Sequence, residues 1–137
     1  MAIQYLESSC NDQEQITALY DNVKWTAYTD DVPNLMKAIA HSLSVITAWD
    51  NNHLVGLIRV VGDGYTIIYI QDILVNEAYQ NQGVGSALMQ RMLDKYRDVR
   101  QKVLLTIDEP DVRAFYEKHG FKSCDKGSLV AFAKLHA

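Results

Sequence analysis

An apolar run from Ile70 to Val75 passes through a polar turn into Gln80-Asn81-Gln82-Gly83-Val84-Gly85-Ser86 and then directly into a helical pattern. No other stretch of the chain restricts the fold as tightly. Glycines at the mouth of a helix let backbone N–H groups approach an anion closely, and the unpaired first-turn donors and positive dipole end favour phosphate. Gly83, Gly85 and the small Ser86 give that access, so the segment reads as a pyrophosphate cradle. A dinucleotide-binding loop would carry a third glycine three residues after the second, where this chain has Leu88. A P-loop would need Gly-Lys-Ser/Thr, which does not occur.

The rest of the composition fits one compact enzyme domain over residues 1–137, with 48% hydrophobic and 22% charged residues. The formal net charge of -4, without a basic run, argues against nucleic acid as a partner. The N-terminus, MAIQYLESSC, has neither a positive region nor a long apolar one, and no stretch approaches the ~18 apolar residues of a membrane span. A soluble, cytoplasmic protein that does not bind membranes is expected. Cys10 and Cys124 read as free thiols, and His41, His53, His119 and His136 are scattered without metal-ligand spacing, so no metal is assigned.

Along the chain the periodicities give an α+β order. A short strand near Ile3–Leu6 precedes a helix capped by Asn11 or Asp12, with Ile16, Leu19, Tyr20 and Val23 at helical spacing. Pro33 begins another helix, striped by Leu35, Met36, Ile39 and Leu43. Strands Ser44–Trp49, Leu54–Val61 and Tyr65–Val75, separated by turn formers, make an antiparallel meander. A helix with Val84, Ala87, Leu88 and Met92 on one face leads by a parallel crossover to a strand over Val103–Ile107. Pro110 starts the last helix, Gly120 ends it, and Phe121–Ser123 with Leu129–Leu135 are expected to complete the sheet as a hairpin.

The pattern Gln80-x-x-Gly83-x-Gly85, preceded by Leu74-Val75-Asn76-Glu77, resembles the acetyl-CoA signature of the GNAT superfamily of N-acetyltransferases. Downstream, Ala114-Phe115-Tyr116-Glu117-Lys118-His119-Gly120-Phe121 resembles the Leu-Tyr-x-x-x-Gly-Phe helix end of the same superfamily. Two motifs in the right order are far more specific than either alone. The resemblance implies a curved, mostly antiparallel sheet of about seven strands with helices on both faces. Its fourth and fifth strands would run parallel and splay apart to admit the pantetheine arm. Ile73 and Val75 would offer that arm their backbone groups, and a β-bulge is expected near Leu74. Gln80, Asn81, Gln82, Gly83, Val84, Gly85 and Ser86 would hold the pyrophosphate.

The implied chemistry is direct transfer, in a ternary complex, of an acetyl group from acetyl-CoA to a primary amine. By the family match Tyr116 is the acid that protonates the departing thiolate, and the Val75 N–H polarises the carbonyl. From periodicity alone Tyr116 reads as a core residue beside Phe115. For the base, Asp72 and Tyr69 stay open; strand alternation puts them on opposite faces unless a bulge resets the register, and Asp72 reads equally as a hydrogen-bonded structural carboxylate. Trp25 and Tyr28 either cap the core or stack on the acceptor. The chain departs from the family at Glu109, where many members carry a cofactor-contacting asparagine, and at Glu77, where a proline is usual. The expected acceptor is a small-molecule amine. A homodimer is compatible with the sequence, and the competing class is a non-catalytic acyl-CoA-binding sensor.

Overall fold

The computed structural model describes residues 2–136. The chain divides into two compact units, the first ending at Leu105 and the second beginning at Thr106.

In the first unit the strands β1 (Gln4–Leu6), β2 (Ser44–Asp50), β3 (His53–Gly62), β4 (Ile67–Val75) and β5 (Gln101–Val103) form one sheet in the order β1-β2-β3-β4-β5. The first three pairings are antiparallel, and β4 pairs β5 in parallel. Helices α1 (Gln13–Asn22), α2 (Thr26–Thr29) and α3 (Val32–Ala40) precede the meander, and α4 (Val84–Lys95) makes the crossover. Asp12 caps α1 by accepting the Gln15 N–H at 3.2 Å, and Asp31 caps α3 by accepting the Asn34 N–H at 3.1 Å, with Pro33 in the first turn.

The sheet is buried on both faces. Ile16, Leu19, Tyr20, Leu35 and Ile39 of α1 and α3 cluster with Leu54, Leu57 and Leu74 of β3 and β4. On the other face α4 approaches the sheet at Gly56, where an added Cβ would stand 3.1 Å from Leu88 and 3.3 Å from Val84. The antiparallel meander, the parallel crossover and the two-sided helical cover are therefore as the sequence indicates. The Trp25–Tyr28 stretch, read as a loop, contains the single-turn α2, held by a 2.6 Å bond from the Thr29 hydroxyl to Asp21.

The strand count differs: among the described residues there are five strands, not seven. In the second unit, α5 (Pro110–Lys118) is followed by a 3₁₀ turn, Cys124–Lys126, and the rest has no regular structure. Leu129–Leu135 has the composition of a strand, but β-propensity describes fit to a neighbouring strand and does not form one alone. Likewise β5 ends at Val103 rather than continuing to Ile107.

Filling the α4–β3 contact tests this packing. Gly56→Val is expected to lower the unfolding free energy by about 1–3 kcal/mol through overpacking, read as a lower urea midpoint at unchanged slope.

Candidate active site

Register along β3 and β4 sets the geometry. Arg59 pairs with Asp72 but the next residue, Val60, pairs with Ile70, so Gln71 is an extra residue, a β-bulge. It lies three residues before the expected position near Leu74. Its effect is to turn the strand over: Asp72 shares the face of Arg59, and Tyr69, opposite Val61, falls on that same face. Without the bulge Tyr69 and Asp72 would point apart.

Beyond the bulge the backbone of β4 becomes available on one side. The Asn76 N–H donates to the Val55 carbonyl at 2.8 Å, which fixes the phase of the ladder. Alternate residues of an antiparallel pair turn their backbone groups toward and away from the partner. Leu74 and Asp72 thus face β3, while Val75 and Ile73 direct theirs to the opposite side. There β5 pairs β4 only over Ile67–Tyr69, so the parallel strands part before Ile73 is reached. The Val75 carbonyl also accepts the Gln80 side-chain amide at 2.9 Å, which ties the slot to the turn that follows it.

That turn delivers the chain to α4. Asn76 caps a 3₁₀ turn, Glu77–Tyr79, by accepting the Ala78 N–H at 2.9 Å, and Gln82 donates to the Ala78 carbonyl at 3.3 Å. Asn81 and Gly83 both take left-handed backbone, with φ of 63° and 85°, and Gly83 is the N-cap of α4. The space around Gly83 is open, so the glycine is there for its backbone conformation. The Ala87 N–H closes the first turn on the Gly83 carbonyl at 3.0 Å, and the amides of Val84 and Gly85 ahead of it lie at the helix mouth. Because Gly56 pairs with Val75 and also receives Val84 and Leu88, the cradle is seated directly beside the slot. An extended amide-bearing arm ending in a pyrophosphate fits this succession of backbone donors.

On the Asp72 face lies a buried polar network in which Asp72 is the hydrogen-bonded carboxylate the sequence allowed, with partners that the sequence did not name. Arg59 donates through Nε to Asp72 Oδ2 at 2.6 Å, Tyr20 donates to the same oxygen at 2.9 Å, and Tyr28 donates to Oδ1 at 2.6 Å. Gln71 at the bulge donates to the Tyr28 hydroxyl at 3.1 Å. Burial works against the Arg59 charge, but the adjacent carboxylate outweighs it and holds the guanidinium above its ordinary pKa. Burial first, and then Asp72, push both Tyr20 and Tyr28 above the usual phenol range, so both stay protonated at neutral pH. Trp25, Tyr20 and Tyr28 stack edge-on or tilted at 5.2–6.4 Å, with Trp25 at the surface. Asp72, Gln71, Tyr28 and Trp25 are therefore brought together, and Tyr69 shares the sheet face of Asp72. The available signal was an arginine inside an apolar strand, which requires a buried acid nearby.

Tyr116 lies in the second unit. Gly120, at φ 90°, closes α5: its N–H donates to the Glu117 carbonyl at 3.0 Å, and that of Phe121 to the Tyr116 carbonyl at 3.1 Å. This is a Schellman end with its characteristic apolar contact, the Tyr116 and Phe121 rings being 5.9 Å apart. Phe115 packs on the Tyr116 ring at 5.2 Å. Burial raises the Tyr116 pKa, and a hydrogen bond with Thr106 acts against that rise. Glu109 is the N-cap of α5, its carbonyl accepting the Arg113 N–H at 2.9 Å. Among the described residues no group of three or more His, Cys, Asp and Glu is placed to hold a metal ion, and no helix is long and apolar enough to cross a membrane.

Removing the charge of Asp72 would strand Arg59. Asp72→Asn is expected to cost about 3–5 kcal/mol of stability, measured by chemical denaturation.

Comparison with known proteins agrees with this geometry. An uncharacterized, ycf52-like N-acetyltransferase of Prochlorococcus marinus is 26% identical over 125 residues, 88% of this chain and 68% of that protein. The crystal structure of a GNAT-family acetyltransferase from Streptococcus pneumoniae TIGR4 superposes with a TM-score of 0.87 at 30% identity, covering 98% of each chain. AAC(6')-Iy, in complex with the bisubstrate analogue CoA-S-monomethyl-acetylneamine, shares the fold at a TM-score of 0.68 and 13% identity, covering 99% of this chain and all of that one. The acetyltransferase (GNAT) family model matches residues 5–121, and the chain belongs to that family.

Proposed function

We propose that the protein is a cytoplasmic acetyl-CoA-dependent N-acetyltransferase that transfers the acetyl group directly to a primary amine of a small molecule. The observation that carries this reading is the open length of β4, where Ile73 and Val75 turn their backbone groups away from β3, leading into the left-handed Gly83 entry of α4. Pantetheine amides would pair with Ile73 and Val75. The pyrophosphate would meet the turn Gln80-Asn81-Gln82-Gly83 and the first-turn amides of Val84, Gly85 and Ser86. The family match runs across the boundary between the two compact units, which supports reading the chain as a single catalytic domain.

The acceptor amine approaches the face that carries Tyr69, Gln71, Asp72, Tyr28 and Trp25. An alkyl ammonium, with a pKa of about 10.4, must lose a proton before it can attack. Asp72, whose two oxygens already accept three donors, orients Tyr28, while a water held by Tyr69 would relay this proton out to bulk solvent, where it is taken up by buffer. The freed nitrogen lone pair attacks the thioester carbon, and the Val75 N–H donates to the carbonyl oxygen as negative charge gathers there. The C–N bond forms, the C–S bond breaks, and the Tyr116 hydroxyl passes its proton to the departing sulfur. A phenol is protonated throughout the neutral range, and burial, which raises the Tyr116 pKa, leaves it so. The small-molecule acceptor rests on likeness in fold to AAC(6')-Iy, whose bound analogue joins CoA to an acetylated neamine.

Isothermal titration should show acetyl-CoA and free CoA binding and ATP failing to compete at equal ionic strength; absence of CoA binding would end this reading. With a screened amine acceptor, Tyr116→Phe should lower kcat by about 100-fold while leaving acetyl-CoA affinity nearly unchanged. CoA binding without turnover on any amine would instead identify an acyl-CoA sensor.

A further inference from the structure

The 3₁₀ turn Glu77–Tyr79 decides where the cradle begins, because Gln80, Asn81, Gln82 and Gly83 follow it directly. Most of its backbone donors are satisfied from within. The Ala78 N–H goes to Asn76 Oδ1 at 2.9 Å, that of Tyr79 to the Asn76 carbonyl at 2.8 Å, and that of Gln80 to the Glu77 carbonyl at 3.4 Å. The Glu77 N–H leaves the turn. It donates at 2.8 Å to Oδ1 of Asn22, the last residue of α1, across 55 positions of sequence. Asn22 itself stands on a fixed base: Gln15 of the same helix accepts the Leu54 N–H of β3 at 2.8 Å, and Tyr20 donates to Asp72 at 2.9 Å. At the far end of the turn the Tyr79 hydroxyl donates to Asp50 at 2.6 Å, so the turn is held from outside at both ends.

We propose that Asn22 is a positioning residue of the acetyl-CoA site: its hydrogen bond to the Glu77 N–H sets how the chain leaves β4, and through that the placement of the pyrophosphate-binding amides. The inference rests on the cosubstrate reading above. A cradle made of backbone donors binds well only if those donors are held in place before the ligand arrives. The stretch that carries them is hard to hold locally, since Asn81 and Gly83 both take left-handed backbone, which costs the asparagine energy and leaves the glycine other conformations to visit. An anchor from outside offsets that freedom. The same position is also shaped for proline. Asn76 has ψ 134°, within the extended range to which the residue before a proline is confined, and Glu77 opens a helical turn, where no backbone acceptor uses its N–H. A proline at position 77 would delete the bond to Asn22 and fix φ by its ring instead. The two devices are alternatives, so Asn22 matters to CoA binding only while residue 77 is not fixed covalently.

Isothermal titration of free CoA into the full chain and a cycle of variants tests this. Wild type is expected to bind, and Asn22→Leu, similar in size but without the acceptor, to bind about 5-fold more weakly. Asn22→Ala removes the acceptor without adding an apolar side chain and should show the same loss. Glu77→Pro should bind within about 2-fold of wild type, because the ring restores the restriction that the lost bond supplied. In that background Asn22→Leu should change the affinity by less than about 2-fold. Glu77 is exposed and water can take up its N–H, so the urea midpoints of the Asn22 variants should stay close to that of wild type. Undiminished CoA binding by both Asn22 variants would overturn the inference and leave the cosubstrate reading standing. A loss equally large in the Glu77→Pro background would also overturn it, since that loss would not pass through the Glu77 bond. Weak binding by Glu77→Pro alone would show that the two devices are not alternatives and overturn it as well. Wild type that fails to bind CoA would remove the cosubstrate reading and the inference together.

Discussion

The ion pair between Arg59 and Asp72 is the interaction on which the site depends. Two opposite charges taken out of water are tolerated only if their remaining hydrogen-bonding capacity is met, and here Tyr20 and Tyr28 donate to Asp72 while the Ser42 hydroxyl accepts from Arg59. Both hydroxyls come from helices on one face of the sheet, and both charges from adjacent strands. The network therefore joins α1 and α2 to β3 and β4 at a single point. Because a paired buried charge has few alternative partners, it also specifies register: slipping β4 by one residue would move Asp72 to the α4 face and leave Arg59 alone. The bulge at Gln71 sits immediately beside this lock, and Gln71 itself is drawn into it through Tyr28.

From the bulge follow two properties that look unrelated. One is chemical: Tyr69 and Asp72 come to share a face with the Trp25–Tyr28 cluster. The other is architectural. β4 remains paired to β3 on both sides of the bulge, yet β5 follows it only as far as Tyr69. The segment that has lost its parallel neighbour is the one whose Ile73 and Val75 backbone groups point toward the vacated side. Gly56 completes the arrangement, because the lack of a side chain there lets Val84 and Leu88 settle against β3. Slot and cradle are thus neighbours by packing as well as by sequence.

Periodicity and turn chemistry made much of this legible in advance. The order of elements as far as α5, the cap at Asp12 and the glycine entry to α4 are local signals, and each is met locally. What escaped was non-local. Arg59, Tyr20 and Gln71 acquire meaning only when residues up to 52 positions apart are joined, as Tyr20 is to Asp72, and nothing in a window of ten residues reports that. The bulge, expected near Leu74, stands at Gln71, because its position is defined by the partner strand. The C-terminal segment shows the converse error. Its alternating apolar sequence reads as the last strand of the sheet, but alternation describes how a segment would fit a neighbouring strand and does not supply that neighbour, and the segment has no regular structure.

The helix end around Tyr116 shows how a structural and a chemical explanation of one motif can both hold. The Tyr-x-x-x-Gly-Phe spacing is what a Schellman end requires: glycine where the backbone turns left-handed, and an apolar residue after it to meet the ring three positions inside the helix. Glycine, phenylalanine and the aromatic ring are all accounted for by that geometry, and a phenylalanine in place of Tyr116 would satisfy it equally well. The hydroxyl is the atom the helix end does not ask for, and its structural partner is Thr106. Burial raises the Tyr116 pKa and leaves the proton on the hydroxyl, while the closure of α5 by Gly120 and Phe121 fixes the ring that carries it. In the proposed role of Tyr116 as proton donor, the phenol would be protonated at neutral pH in any case, and what the motif would add is a ring held still.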